Sequence, residues 1–315
     1  MSLSFSRRRA LQLAGAAATL PFTRAWAADG EALTFLAVGD WGRDGMNHQS
    51  EVAEQMGLAA KQVNARFVIS VGDNFYEKGV ASATDPKWKT SFEDVYAAPS
   101  LQVPWYVALG NHDYYGTPEA QLDYAKTSSR WRMPQRYYSR RETAPDGSRL
   151  ELFVLDTTPL IPDYQHHNGL APKLAAVDPD TQVAWLAQTL AASTADWKVV
   201  VGHHPIWAGD NSEAGKEGHA GSPDLVAKLD PLLARYGVRL YLNGHDHELQ
   251  HTVHDGRHYV CTGAGSAMEP FCDNTGADFC SLQSGFIACA ASKSALRVAY
   301  RDWRGRELRV VDIAA

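Results

Sequence analysis

The sequence predicts an α/β fold in which helices cover large mixed sheets. Three observations carry this expectation. Short apolar runs alternate with helical periodicity early in the chain, the late part is strand-rich, and five apolar runs end in a residue able to bind a metal, usually after glycine. Residues 33–38 read as a strand ending at Gly39-Asp40. Helical spacing follows over 49–63, then a second strand over 67–71, ending at Gly72-Asp73. A helix over 86–96 precedes a third strand over 105–109, which ends at Gly110-Asn111-His112. Residues 151–155 form a fourth strand and 181–192 an amphipathic helix. The strand over 199–201 ends at Gly202-His203; a helix over 224–236 leads to a short strand over 240–242 and Asn243-Gly244-His245. The tail reads as strands over 258–261, 285–290, 295–300 and 308–311. No linker divides residues 28–315, which read as one domain. Ligands of open α/β sheets bind at the carboxyl ends of strands. Asp40, Asp73, Asn111, His203 and His245 are therefore expected to converge on one crevice.

With 45% hydrophobic and 21% charged residues, the chain has the composition of a globular protein. A formal charge of −6 argues against a nucleic-acid partner, which would call for a basic face. Ser6-Arg7-Arg8-Arg9, the uncharged stretch 10–23 and Ala25-Trp26-Ala27 read as a signal peptide over residues 1–27; the bland alternative is a surface helix. The stretch is shorter than the about 20 residues a spanning helix needs, so no stable membrane anchor is expected. The paired arginines resemble a twin-arginine export signal, although Ala10 stands where such signals often carry Phe. That implies a periplasmic or secreted protein. Cleavage after Ala27 would remove four arginines and no acid, taking the formal charge from −6 to −10. Four cysteines (Cys261, Cys272, Cys280 and Cys289) allow three pairings. Cys272 and Cys280 flank a turn-rich segment, so they either close a local disulfide loop or remain buried thiols. Nothing in the sequence fixes an oligomeric state.

Taken singly, the strand-end motifs are weak. Gly-Asp is common in turns, and a lone His203 is more often a hydrogen-bonded core residue than a ligand. His245 and His247 say more, since alternate residues of an extended chain point the same way. As an ordered set they say much more. Gly39-Asp40, Gly72-Asp73-x-x-Tyr76, Gly110-Asn111-His112-Asp113, Gly202-His203 and Gly244-His245-x-His247 resemble the calcineurin-like metallophosphoesterases. Tyr76 narrows this to the purple acid phosphatases. The fuller strings Gly39-Asp40-Trp41-Gly42, Gly72-Asp73-Asn74-Phe75-Tyr76 and Gly244-His245-Asp246-His247 are similar to their small, mammalian-type, tartrate-resistant group. The similarity covers nearly all of the chain after the leader, including residues 231–238.

The resemblance implies a four-layer α/β/β/α sandwich of two mixed sheets flanked by helices. It also implies a dinuclear centre of Fe(III) and a divalent ion (iron, zinc or manganese). Asp40, Tyr76 and His247 would hold the ferric ion, Asn111, His203 and His245 the divalent ion, and Asp73 would bridge them. The residue types suit these tasks. A shared carboxylate fits metals about 3.5–4 Å apart. Tyr, with an ordinary pKa near 10, needs a strong Lewis acid to bind as phenolate, and imidazoles suit iron or zinc. Two such ions outweigh the charge of two carboxylates, a phenolate and one hydroxide, so the site attracts phosphate although the chain is acidic.

The implied reaction is in-line hydrolysis, hydroxide attacking phosphorus while the ions neutralise the phosphoryl oxygens. His112 would contact phosphate and protonate the leaving alkoxide, with Asp113 orienting it. His219, in a segment longer than in relatives, is a second candidate acid. His204 is expected to face away, and His166, His167, His251, His254 and His258 to lie on the surface or rim. Trp41, Tyr114 and Trp207 either wall the cleft or pack the core. In relatives, a loop in the region of residues 161–178 overhangs the site and restrains activity until cut; the plainer reading is a surface loop. The expected function is an exported acid phosphatase acting on small phosphorylated substrates, the monoesters. One alternative is a phosphodiesterase or nucleotide hydrolase with the same metals. Another is a non-catalytic phosphate-binding protein, against which the full donor set argues.

Overall fold

The computed structural model describes residues 31–175, 177–209, 221–268 and 276–315. The apolar runs form the parallel part of a first sheet: β1 (Leu33–Val38), β2 (Val68–Ser70), β3 (Trp105–Val107) and β4 (Trp131–Arg132). A second sheet takes β5 (Tyr138–Thr143), β6 (Arg149–Val154), β7 (Trp197–Val201), β8 (Leu240–Asn243), β9 (Leu249–His254), β10 (Arg257–Thr262) and β11 (Phe279–Ser281), in the order β11-β9-β10-β8-β7-β6-β5. The chain then returns to the first sheet with β12 (Gly285–Ala291), β13 (Ala295–Asp302) and β14 (Glu307–Ala314), which add antiparallel beside β1. Both sheets are thus mixed. They are tied where Tyr300 of β13 donates to the Gln250 carbonyl of β9 at 2.9 Å.

Helix α1 (Gln49–Val63) buries Val52, Ala53, Met56, Ala59, Ala60 and Val63. The short helices α2 (Asn111–Tyr115), α3 (Pro118–Ala125) and α4 (Ala171–Leu174) lie in the long connections. On the second sheet, α5 (Pro179–Ala192), α6 (Pro223–Lys228) and α7 (Asp230–Arg235) bury Leu186, Leu190, Leu225, Leu229 and Leu233 against Phe153, Val200 and Tyr241. Each such side chain contributes about 1.5–3 kcal/mol by leaving water. Asp178 caps α5 by accepting from Asp180 N at 3.0 Å, with Pro179 at the first helical position. The arrangement is the expected α/β fold, two mixed sheets flanked by helices.

Several elements differ from the sequence reading. The helix expected over 86–96 is a wider turn over Trp88–Glu93, in which Asp94 N reaches back five residues to Lys89 O. The helix expected over 224–236 breaks in two, because Pro231 has no N–H to continue the ladder. β5 escaped notice because its face is charged, as edge strands often are. β9 escaped because polar side chains, Gln250, His251 and Thr252, are buried there. Cys261 and Cys289 are free and buried, Cys280 is in a disulfide, and Cys272 lies outside the described residues. No helix among the described residues is long and apolar enough to cross a membrane.

Candidate metal centre

The strand ends of β1, β2, β3, β7 and β8 meet. Asp40 Oδ1 and Asp73 Oδ2 lie 2.9 and 3.1 Å from Tyr76 Oη. His247 Nε2 is 2.8 Å from the same hydroxyl and 3.5 Å from Asp40 Oδ1. Beside them, Asn111 Oδ1 is 3.1 Å from both His203 Nε2 and His245 Nδ1. His203 Nε2 lies 3.4 Å from Asp73 Oδ2. The seven side chains therefore form two groups that share Asp73: Asp40, Tyr76 and His247 in one, Asn111, His203 and His245 in the other.

The backbone is bent hard to achieve this. Asp40, Asp73 and His245 have φ of 59, 47 and 71°, a left-handed conformation costing a non-glycine residue of order 1–3 kcal/mol. A Cβ at Gly72, itself at φ 103°, would fall 2.6 Å from His203 Nδ1, and one at Gly110 would fall 2.2 Å from Asp73 Oδ1. Only glycine lets these backbones pass so close to the donors. The extended-chain argument for His245 and His247 does not hold. β8 ends at Asn243, tight turns follow, and the two imidazoles go to different groups.

The donor set fits a metal pair. His203 Nδ1 donates to the Val71 carbonyl at 3.0 Å, which leaves Nε2 facing the Asn111 and Asp73 oxygens, free for a metal once its own proton is displaced. Asp73 Oδ1 accepts from His112 N at 2.7 Å and Asp40 Oδ2 from His245 N at 3.2 Å. The other carboxylate oxygens remain for the centre. Ligand atoms of Asp40, Asp73 and His203 lie within 4.8 Å of one another. Acceptors crowded this closely call for a cation between them. The protein's own charges say the same. Burial pulls the His203 imidazole down, yet Asp73 and Asp40 override it and lift it to about 9. Burial and the same two carboxylates push the Tyr76 phenol well above its usual value, so only a strong Lewis acid makes it a phenolate.

His112 stands at the mouth, Nε2 4.0 Å from Asp73 Oδ2. Its Nδ1 lies 2.7 Å from the Glu77 carbonyl, which can only accept. The proton is therefore on Nδ1, and Nε2 faces the centre. The expectation that Asp113 orients His112 is corrected. Asp113 turns away to accept from Gly110 N, Asn74 N, Asn74 Nδ2 and Gln121 Nε2. The cause is the first turn of α2, where the side chain caps its own helix and clamps the Asp73-Asn74 turn. Burial, then the Asp73 charge, raise its carboxyl to about 7. His219 lies outside the described residues.

Sequence reasoning placed His204 facing away, but the chain after Val201 is no longer a strand and alternation ceases. The His204 ring lies 4.5 Å from that of His245, with Nδ1 2.8 Å from Thr157 Oγ1 and Nε2 2.9 Å from Tyr164 Oη. Tyr164, in the Pro162–His166 turn of the polar loop, is a residue the sequence did not single out. The loop thus reaches the centre rather than lying apart on the surface. Trp41 does not wall the cleft; it is fully buried among Phe75, Phe92, Tyr96, Trp105 and Trp131, its Nε1 donating to Ser70 Oγ at 2.8 Å. Tyr114 is equally buried and donates to Asp156 at 2.5 Å, while Trp207 stacks on His254. His251 is a core residue rather than a rim one.

Comparison with known proteins agrees with this geometry. Residues 33–249 match the family model described as calcineurin-like phosphoesterase. The chain is 36% identical over 294 residues to purple acid phosphatase 4 of Arabidopsis thaliana, covering 89% of this chain and 83% of that protein. It is 39% identical over 253 residues to tartrate-resistant acid phosphatase type 5 of Homo sapiens, covering 76% and 74%. Among solved structures, GAP50, the anchor in the inner membrane complex of Plasmodium, superposes with a TM-score of 0.75 at 25% identity over 90% of this chain and 89% of that one. The purple acid phosphatase PPD1 of yellow lupin seeds gives 0.65 at 18% identity over 90% and 54%, a likeness of fold. By its sequence, its sheets and its relatives, this chain belongs to the calcineurin-like phosphoesterase family and, within it, to the purple acid phosphatases.

Proposed function

We propose that the protein is an exported acid phosphatase that hydrolyses phosphate monoesters at a dinuclear Fe(III)–M(II) centre. The observation that carries this reading is Tyr76: its hydroxyl lies among Asp40, Asp73 and His247 at 2.8–3.1 Å. Asp40, Tyr76 and His247 would hold the ferric ion, Asn111, His203 and His245 the divalent iron, zinc or manganese, with Asp73 shared. When bound, the pair supplies Lewis acidity, which lowers the pKa of a water and neutralises the phosphoryl oxygens. The chain's own residues do the rest. Val71 O and the His112 and His245 amides hold the donors in place. The Glu77 carbonyl holds His112 with Nε2 toward the substrate, ready to carry a proton to the leaving alkoxide. The leader over residues 1–27 supports export to the periplasm or medium, and the acidic chain favours small phosphorylated substrates over nucleic acid.

Purified protein is the test, with iron content, visible spectrum and hydrolysis of p-nitrophenyl phosphate measured beside Tyr76→Phe. The wild type should bind iron, show a visible phenolate-to-iron band and turn over. Tyr76→Phe should lose the band. A wild type with no iron, no band and no turnover would sink the proposal. Faster turnover of bis(p-nitrophenyl) phosphate than of the monoester would replace it with a phosphodiesterase.

A further inference from the structure

Arg43 is not one of the seven donors, yet its guanidinium carbon lies 3.7 Å from the centroid of the Tyr76 ring. Three contacts hold it there. Its Nε donates to Ser266 Oγ at 3.2 Å, and that hydroxyl donates to the Asp40 carbonyl at 2.5 Å. Its NH1 pairs with the Glu77 carboxylate. Its backbone N–H is fixed on Gln49 Oε1 at 3.0 Å. The Arg43 side chain is only 13% exposed, against 66% for Glu77, so water screens the cation at the ring much less than it screens the partner. A planar guanidinium stacks on an aromatic face in a way an ammonium cannot. The ring quadrupole attracts it, and a phenolate ring, carrying a full negative charge, attracts it more strongly.

We propose that Arg43 is a positioning residue that tunes the bond between Tyr76 and iron by holding a cation against the ring face. The proposal rests on the reading of Tyr76 as a ferric phenolate ligand. A positive charge over the ring stabilises its filled π orbitals and weakens electron donation through the oxygen. Two consequences follow. The ion keeps more of its Lewis acidity for the substrate. Moving an electron from ring to iron also takes more energy, so the visible band lies at shorter wavelength than it would without Arg43.

Iron content and the visible band of full-length Arg43→Gln, Arg43→Lys and Glu77→Gln, beside wild type, test this. Arg43→Gln should move the band to longer wavelength with iron per chain unchanged. Arg43→Lys should fall between Gln and wild type. Glu77→Gln should move the band the opposite way, to shorter wavelength, because it removes the carboxylate that offsets the Arg43 charge. Iron-loaded variants with an unmoved band overturn the proposal. If Arg43→Gln does not fold, Glu77→Gln decides: no shift, or a shift to longer wavelength, overturns it. A wild type that binds iron but shows no band fails the ferric-phenolate reading itself, and this proposal with it. A wild-type band with unmoved variants overturns this proposal alone.

Discussion

Each oxygen of Asp73 has its own task. Oδ1 is spent on the His112 amide, while Oδ2 stands between Tyr76 and His203, so both donor groups meet at one atom. The His112 amide that steadies Asp73 belongs to the residue whose side chain stands at the mouth. Donor and proposed proton carrier are therefore set by the same short turn. His112 Nε2 stays 4.0 Å from Asp73 Oδ2, its ring packs beside that of Tyr76, and it is held from the far side by Glu77 O. His112→Ala should thus lower turnover by about 10²–10⁴, the usual contribution of a general acid, with iron content near that of wild type. Steady-state kinetics beside metal analysis checks this. Parallel loss of both would show that His112 holds the metal or the fold instead.

At the scale of elements, the loop over residues 158–174 is a strap fastened near both ends beside the centre. Tyr164 is its contact with the centre, through His204. Two lysines tie its ends. Lys228 Nζ donates to Leu160 O at 2.6 Å, and Lys173 Nζ donates to Tyr114 O at 2.7 Å, to Tyr115 O at 3.1 Å and to Gly116 O. Charged donors to carbonyls contribute about 1.5–3 kcal/mol when sheltered, but Lys173 is partly exposed, so about 1 kcal/mol is the reasonable figure. Lys173→Met should then speed limited proteolysis within residues 161–170 by roughly fivefold, the factor that corresponds to about 1 kcal/mol. Mapping the first cleavage sites by mass spectrometry checks it. An unchanged rate, or first cleavage elsewhere, would show that the tie does not restrain the strap.

Across the whole molecule, a similar sandwich is found in an anchor protein and in phosphatases, so the fold by itself does not fix the function. One feature of the sandwich should show in its pH response. His251 in β9 is 3% exposed, with Nε2 2.9 Å from His258 Nδ1 of β10. Burial, then the neighbouring His258, lower its imidazole to about 4, with Asp278 opposing. Below about 6.5 the unfolded chain takes up this proton and the folded chain does not, so stability falls as pH drops from 6.5 toward 4. The loss should reach about 3 kcal/mol, and His251→Gln should flatten it in urea unfolding at several pH values. An equally steep variant would place the acid sensitivity elsewhere. As for legibility, the five residues Asp40, Asp73, Asn111, His203 and His245 at the strand ends, and both long helices, could be read from the chain, because glycine, donor type and periodicity are local signals; Tyr76 and His247 came as ligands only with the family resemblance. Asp113, His204, Tyr164 and Arg43 could not. Their partners are set by turns where side-chain alternation ends and by loops brought together from distant sequence. Whether Asp113 faces His112 or clamps Asn74, and whether Arg43 lies on a ligand ring or in solvent, is decided only when β1, β2 and β3 pair and the turns after them pack side by side.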